Sequence, residues 1–241
     1  LAASRKGRIS IFWTDHYAVP SQDISFLGKY HVEMLGLGVN IPGTEKDWIA
    51  GGWDQYGMII NLKEGHSLKA EGMDVLQREK QGWSQLETLI AKGLLNIGEL
   101  HSISLGSFSI SLEFFMALQE EFSQELQGHF GYVDTDPHLW QPMTSERDEF
   151  VANFAAKAKD GAERAQLQRE AETIWERAER IKQDFLTKDS SGKVLFDCCN
   201  LGLDAWSWDY GKLTYIYKNL MKMVGTNPEA RGMQLFYRQR P

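Results

Sequence analysis

The sequence predicts an α+β protein, with a β-rich part over residues 1–72 and a mostly helical part over 73–241. Two observations carry this. Before Gly72, short β-branched and aromatic runs alternate with turn residues. After it, apolar residues recur three and four apart over long stretches. At 241 residues, the chain is near the upper size that one hydrophobic core serves, so the two parts are also compatible with one continuous domain.

Arg8 to Trp13 reads as a strand, broken at Pro20-Ser21. Asp23 to Leu35 suits a short helix through Ile24, Leu27, Tyr30 and Met34, or a strand over His31 to Leu35; the pattern leaves both open. Gly36, Gly38, Pro42 and Gly43 read as turn markers. Tyr56 to Leu62 is a strand, closed by a turn at Lys63-Glu64-Gly65. Met73, Leu76, Trp83, Leu86 and Ile90 fit an amphipathic helix ending near Gly93, with Gly82 inside it at a cost of about 1 kcal/mol against Ala. Ser109 to Leu126 is a second helical stretch, closed by Gly128 or Gly131. Ser145 with Asp148 forms a capping-box pattern ahead of Phe150 and Phe154. Ala162 to Phe185 is the clearest helix, with Glu176 and Arg180 spaced to pair on its surface. Val194 to Phe196 reads as a short strand or a buried apolar turn, Thr214 to Val224 as a helix, and Met233 to Tyr237 has no fixed reading.

The net charge of −7 disfavours nucleic acid, where phosphate neutralisation supplies most of the affinity. No apolar run is long enough to span a bilayer; even Leu105 to Leu118 contains Glu113. The ends are basic (Arg5, Lys6 and Arg8; Arg231, Arg238 and Arg240), which suits solvated tails, an acidic partner or lipid head groups. Cys198 and Cys199 are neighbours and seldom pair, so a reducing interior fits. Leu-Ala-Ala-Ser followed by Arg-Lys-Gly-Arg suits the start of a mature organellar protein. Eight Trp residues are many for this length, and Trp is enriched in cores and at protein interfaces.

Two constellations bear on chemistry. Ser102-Ile103-Ser104-Leu105-Gly106 fits a relaxed nucleophile elbow, which would make Ser104 the nucleophile of a serine hydrolase. That motif needs an acid and a later histidine, and the histidines after Ser104 are the nearby His129 and His138. His129, Asp134, Asp136 and His138 are the densest group of metal-ligand types, although Asp-Thr-Asp-Pro is also ordinary turn chemistry. No phosphate-cradling glycine loop is present, so the sequence implies no nucleotide or other cofactor.

At Tyr56 to Lys69 and at Tyr132 to Asp136, the sequence resembles the mitochondrial assembly chaperones that protect the free alpha subunit of the ATP synthase catalytic head. That family has a strand running into a turn of the form L-D-G-R-P-L-K-T-P. Here Leu62-Lys63-Glu64-Gly65-His66-Ser67-Leu68-Lys69-Ala70 matches its Leu, Gly65, Leu68 and Lys69, with one residue more before the glycine. The family continues with a helix bearing a tryptophan near its end, matched by Trp83. A helix ending in Tyr-x-Asp-Thr-Asp follows, matched by Tyr132, Asp134, Thr135 and Asp136. The Thr-Pro after Leu-Lys is absent, and Pro137-His138-Leu139-Trp140-Gln141 stands where the family has apolar residues and Cys-Tyr-Arg. The resemblance covers about a third to a half of the chain. It implies a non-enzymatic, mitochondrial protein whose partners are ATP synthase subunits. That protein is an accessory subunit built on the chaperone fold or the assembly chaperone itself, peripheral, close to the membrane and without a transmembrane segment of its own.

Overall fold

The computed structural model describes residues 7–12, 15–24, 28–123, 140–188 and 193–238. In chain order these form β1 (Arg8–Ile11), β2 (His16–Val19), β3 (Tyr30–Asn40), α1 (Glu45–Ala50), a 3₁₀ turn (Trp53–Gln55), β4 (Met58–Asn61), α2 (Ser67–Ala70), β5 (Val75–Arg78), α3 (Trp83–Ala91), β6 (Leu100–Ser111) and α4 (Leu112–Glu121). Then come α5 (Trp140–Thr144), α6 (Arg147–Ala155), α7 (Gly161–Lys188), β7 (Val194–Asn200), β8 (Trp206–Asp209), α8 (Leu213–Lys222) and α9 (Pro228–Arg238). Strands dominate the first half and helices the second, so the chain is α+β.

The main sheet runs β5-β4-β6-β3-β7, with β1 beside the far end of β6. Its pairs are antiparallel except β3 with β7. It draws strands from both sides of residue 72, and the Leu195 N–H donates to the Gly72 carbonyl at 2.7 Å. β2 and β8 make a separate antiparallel ribbon. On one face of the sheet, Val32, Met34, Ile110 and Phe196 pack with Phe114, Ala178 and Ile181 from α4 and α7. Phe114 lies edge-on to Phe185 (4.9 Å between ring centres) and Phe196 (5.9 Å). On the other face, Leu35, Leu105 and Leu201 gather Ala18 and Ala205 beneath the ribbon. A register shift between Met34 and Gly36 changes which residues join the main core. Val32 and Met34 do so before it, Val39 and Ile41 after it. The shift falls opposite the stretch of β6 that holds left-handed Gly106 (φ 72°).

Several elements differ from the sequence reading. Tyr30 to Asn40 is strand, not helix, and Gly36 and Gly38 sit inside it rather than at turns. They are glycine for space: a Cβ on Gly36 would stand 2.5 Å from the Ser102 Cβ, and one on Gly38 2.8 Å from the Gly202 backbone. The helix expected over 73–93 is β5 followed by α3. The residues of β5 are buried on both faces, so the Met73–Leu76 spacing imitates a helical step. Gly82 is then the extended N-cap of α3, not an interior residue. Ser109 to Ser111 end β6, and the Ser111 hydroxyl caps α4 by accepting from the Phe114 N–H (3.3 Å). α6 starts from Glu146 with no side-chain cap bond, so the Ser145–Asp148 box does not form. The long helix is present as α7, but Arg180 turns to Glu121 (3.5 Å) instead of Glu176.

Candidate binding cleft

α1 begins where the Asp47 N–H donates to the Thr44 hydroxyl (3.2 Å). Its one buried side chain, Trp48, donates its indole N–H to the Gln81 carbonyl (2.8 Å). Gly51 and left-handed Gly52 (φ 69°) then stop the helix. A Cβ at Gly51 would lie 2.6 Å from the Trp53 ring, so glycine lets that ring lie flat on the backbone, 5.5 Å from Trp48. This rigid corner forms one wall of a cleft of about 360 Å³. Leu37, Ile103 and Leu105 of the sheet supply its apolar floor, and Asp209, Tyr215, Lys218 and Asn219 from β8 and α8 close the opposite wall.

The polar groups at the base are tied to one another. The Tyr56 hydroxyl donates to Asp209 Oδ2 (2.8 Å), and the Gly211 N–H donates to Oδ1 (2.7 Å). His16 Nδ1 donates to the Leu105 carbonyl (3.1 Å), which can only accept, and its Nε2 faces Asp209 Oδ2 at 3.5 Å. Burial, and then the bond to Asp209, push the Tyr56 hydroxyl well above the usual phenol range. Asn219 is buried because its amide donates to the Asp209 backbone carbonyl (2.7 Å). Lys222 pairs with Glu229 (2.9 Å), which also accepts from the Trp208 indole (2.9 Å). Lys218 lies 5.9 Å from the Tyr215 ring and has no carboxylate within ion-pair reach among the described residues. An apolar floor under a polar wall, with one ammonium left at the rim, suits an apolar side chain followed by a carboxylate.

The residues singled out from sequence lie elsewhere. Gly65 is exposed in the turn after β4 with φ 84°, the left-handed conformation that glycine adopts freely. Leu68 is buried in the main core, and Lys69 bridges Glu64 (2.5 Å) and Asp74 (3.3 Å). These three share one strand–turn–helix corner and do not line the cleft. Trp83 opens α3 rather than closing a helix, and its indole donates to Glu87 (2.9 Å). The segment before it is β5, not the helix that the resemblance implies. Tyr132, Asp134, Thr135 and Asp136, with His129 and His138, fall outside the described residues. Ser104 lies within β6 opposite Gly36, and its hydroxyl accepts from the Gly106 N–H (3.2 Å). The strand-to-helix turn that exposes an elbow nucleophile is not present there. Cys198 and Cys199 are neighbouring residues of β7.

Sequence reasoning passed over Tyr56, Asp209 and Lys218 as a group, because 153 positions separate the first two. The available signal was Gly51-Gly52-Trp53, a glycine pair ahead of an aromatic, together with a polar Asn219 among the apolar residues of its helix. Among the described residues, no three His, Cys, Asp or Glu are grouped to hold a metal, and no helix is long and apolar enough to cross a membrane. No family model matches the chain, and neither the curated proteins nor the solved structures contain a match to it.

Proposed function

We propose that this protein is a non-catalytic, protein-binding component of the mitochondrial ATP synthase. It is an accessory subunit built on the assembly-chaperone fold, or the assembly chaperone of the catalytic head itself. The observation that carries the binding role is the cleft between α1 and α8. Its floor is apolar, the carboxylate at its base is already satisfied, and Lys218 remains for a partner. It receives an apolar side chain and a neighbouring carboxylate from a partner subunit. The partner system rests on the resemblance at Tyr56 to Lys69 and Tyr132 to Asp136. In its support, β4 runs into a turn whose glycine is left-handed, and the matched Leu68 anchors that turn in the core.

The test is a native-gel separation of solubilised mitochondria probed for this chain. Comigration with intact ATP synthase at fixed stoichiometry is expected for an accessory subunit, and comigration with free alpha subunit for the chaperone. A signal with neither overturns the reading. Lys218→Glu places a carboxylate at the rim of the cleft and is expected to weaken the association at least tenfold while the fold persists, because Lys218 is exposed.

A further inference from the structure

α8 presents its apolar side outward. Leu213, Tyr217, Leu220 and Val224 follow at steps of four, three and four, which aligns them on one face running past the end of the helix. They are 82%, 66%, 44% and 75% exposed, and Met221 beside them is 51% exposed. The buried residue of α8 is Asn219. A helix that only had to cover the protein body would be turned the other way, with leucines inward and asparagine in water.

Charge identifies what meets this ridge. From Gly211 to Pro228 there is no Asp or Glu. Lys212 and Lys218 flank the apolar row on its two sides, while Lys222 lies opposite it, bound to Glu229. From Tyr210 onward, six Lys and Arg stand against one Glu, in a chain whose net charge is −7. A second copy of the chain would bring the same lysines face to face, so self-association through the ridge is opposed by its own charge. Apart from the Tyr217 hydroxyl, the row offers no hydrogen-bonding side chain with which to select a particular protein surface. Exposed lysines flanking a leucine-rich face are what an anionic bilayer surface accommodates: acyl chains take the apolar row, and head groups take the ammonium groups beside it.

We propose that α8 is an interfacial helix that seats the protein on an anionic lipid surface, with Leu213, Tyr217, Leu220 and Val224 in the acyl boundary and Lys212 among the head groups. This stands on the orientation and charge of α8 and does not depend on the partner assigned to the cleft.

The test uses the purified full chain and co-sedimentation with vesicles of phosphatidylcholine, alone and mixed with phosphatidylglycerol. Binding to the mixed vesicles is expected, at least tenfold weaker to phosphatidylcholine alone, and falling with salt. Leu213→Ser with Leu220→Ser is expected to reduce binding at least tenfold. Lys212→Gln is expected to reduce it about fivefold, and it leaves the lysine of the cleft in place. The far-ultraviolet circular dichroism melt checks that each variant folds, and Leu213→Ser alone, at the most exposed position of the row, serves if the pair does not. Failure to sediment with the mixed vesicles overturns the proposal, as does binding that the serine variants leave unchanged. A protein that instead dimerises through this face, and that the serine variants make monomeric without any vesicle binding, also overturns it.

Discussion

Tyr56 and Asp209 join the two β-structures of the protein through one hydrogen bond of 2.8 Å. Tyr56 leads into β4 of the main sheet, and Asp209 ends β8 of the ribbon. The bond runs to a carboxylate and is half-buried, a setting that strengthens it over a bond in open water. Tyr56→Phe keeps the ring and removes the donor. It is expected to cost about 1.5–3 kcal/mol in urea denaturation. Amide exchange in Trp206–Asp209 should accelerate before exchange in β3 and β6, because the ribbon loses one of its ties while the sheet keeps its ladder. Equal acceleration in both would mean that ribbon and sheet open as one unit, still joined by the His16–Leu105 hydrogen bond and the packing on Leu35 and Leu105.

Arg8 and Glu33 form an ion pair at 2.9 Å with side chains only 6% and 4% exposed. The guanidinium also donates to the Ser109 hydroxyl and carbonyl, both at 2.9 Å, and to the Tyr30 carbonyl. Burial lowers the Arg8 pKa despite the opposing pull of Glu33. Arg8→Met leaves the carboxylate buried without its partner and is expected to cost about 3–5 kcal/mol. Adding Glu33→Leu to that variant should recover most of the loss, since an apolar pair of similar size avoids the desolvation of both charges. Denaturant midpoints of the two single variants and the double variant complete the cycle. A double variant as unstable as Arg8→Met would show that the Ser109 and Tyr30 contacts, rather than the charge pair, hold β1 to the sheet.

The parts of the fold that were legible in the sequence are those fixed by local chemistry. α7 repeats its apolar residues over many turns, β4 is a compact β-branched run, and Gly65 marks a turn that requires φ above zero. What stayed hidden is decided by residues far apart. β5 pairs along its edge with β4 and is buried on both faces, so its sequence lacks the alternation of a half-exposed strand. Gly36 and Gly38 are ordinary turn residues in sequence, and they become strand residues because Ser102 and Gly202 approach too closely for any Cβ. The cleft could not be read for the same reason, since its groups come from 37 to 222 and meet only when the ribbon and α8 close over the sheet. The amphipathic pattern of α8 was visible, but a pattern does not tell which face turns inward.

His101 gives the protein an acid-sensitive joint. Its Nδ1 accepts from the Asn61 N–H (3.1 Å), which places the ring proton on Nε2, and its side chain is only 3% exposed. Burial lowers its pKa below the ordinary 6.5, against the raising effect of Glu99. The folded protein therefore holds the neutral ring while the unfolded chain takes up a proton. The contribution is complete above 6.5 and is lost as the pH falls through the lower, folded value. Denaturant midpoints should fall as the pH drops below 6.5. His101→Asn keeps an acceptor near the Asn61 N–H without a titrating ring, and should flatten that acid limb. An unchanged limb would assign the acid sensitivity to other groups.

Cys198 gives the opposite limb. Although the residue keeps some exposure, its sulfur is turned into the sheet, where a Cβ on Gly36 would come within 2.7 Å of it. Burial, opposed by a hydrogen bond from Ser102, pushes the thiol from 9.0 up to about 12. The folded state thus keeps its proton where the unfolded chain ionises. The stabilising contribution is whole below 9.0 and is lost as the pH rises from there toward about 12. In a Cys199→Ser background, iodoacetamide is expected to leave Cys198 unmodified in the folded protein and to alkylate it in urea, because only the thiolate attacks. Replacing Cys198 by Ala in the same background should flatten the alkaline loss of stability. Equal alkylation rates in the folded and urea-unfolded chains would show that the sulfur reaches water and that the alkaline limb has another source.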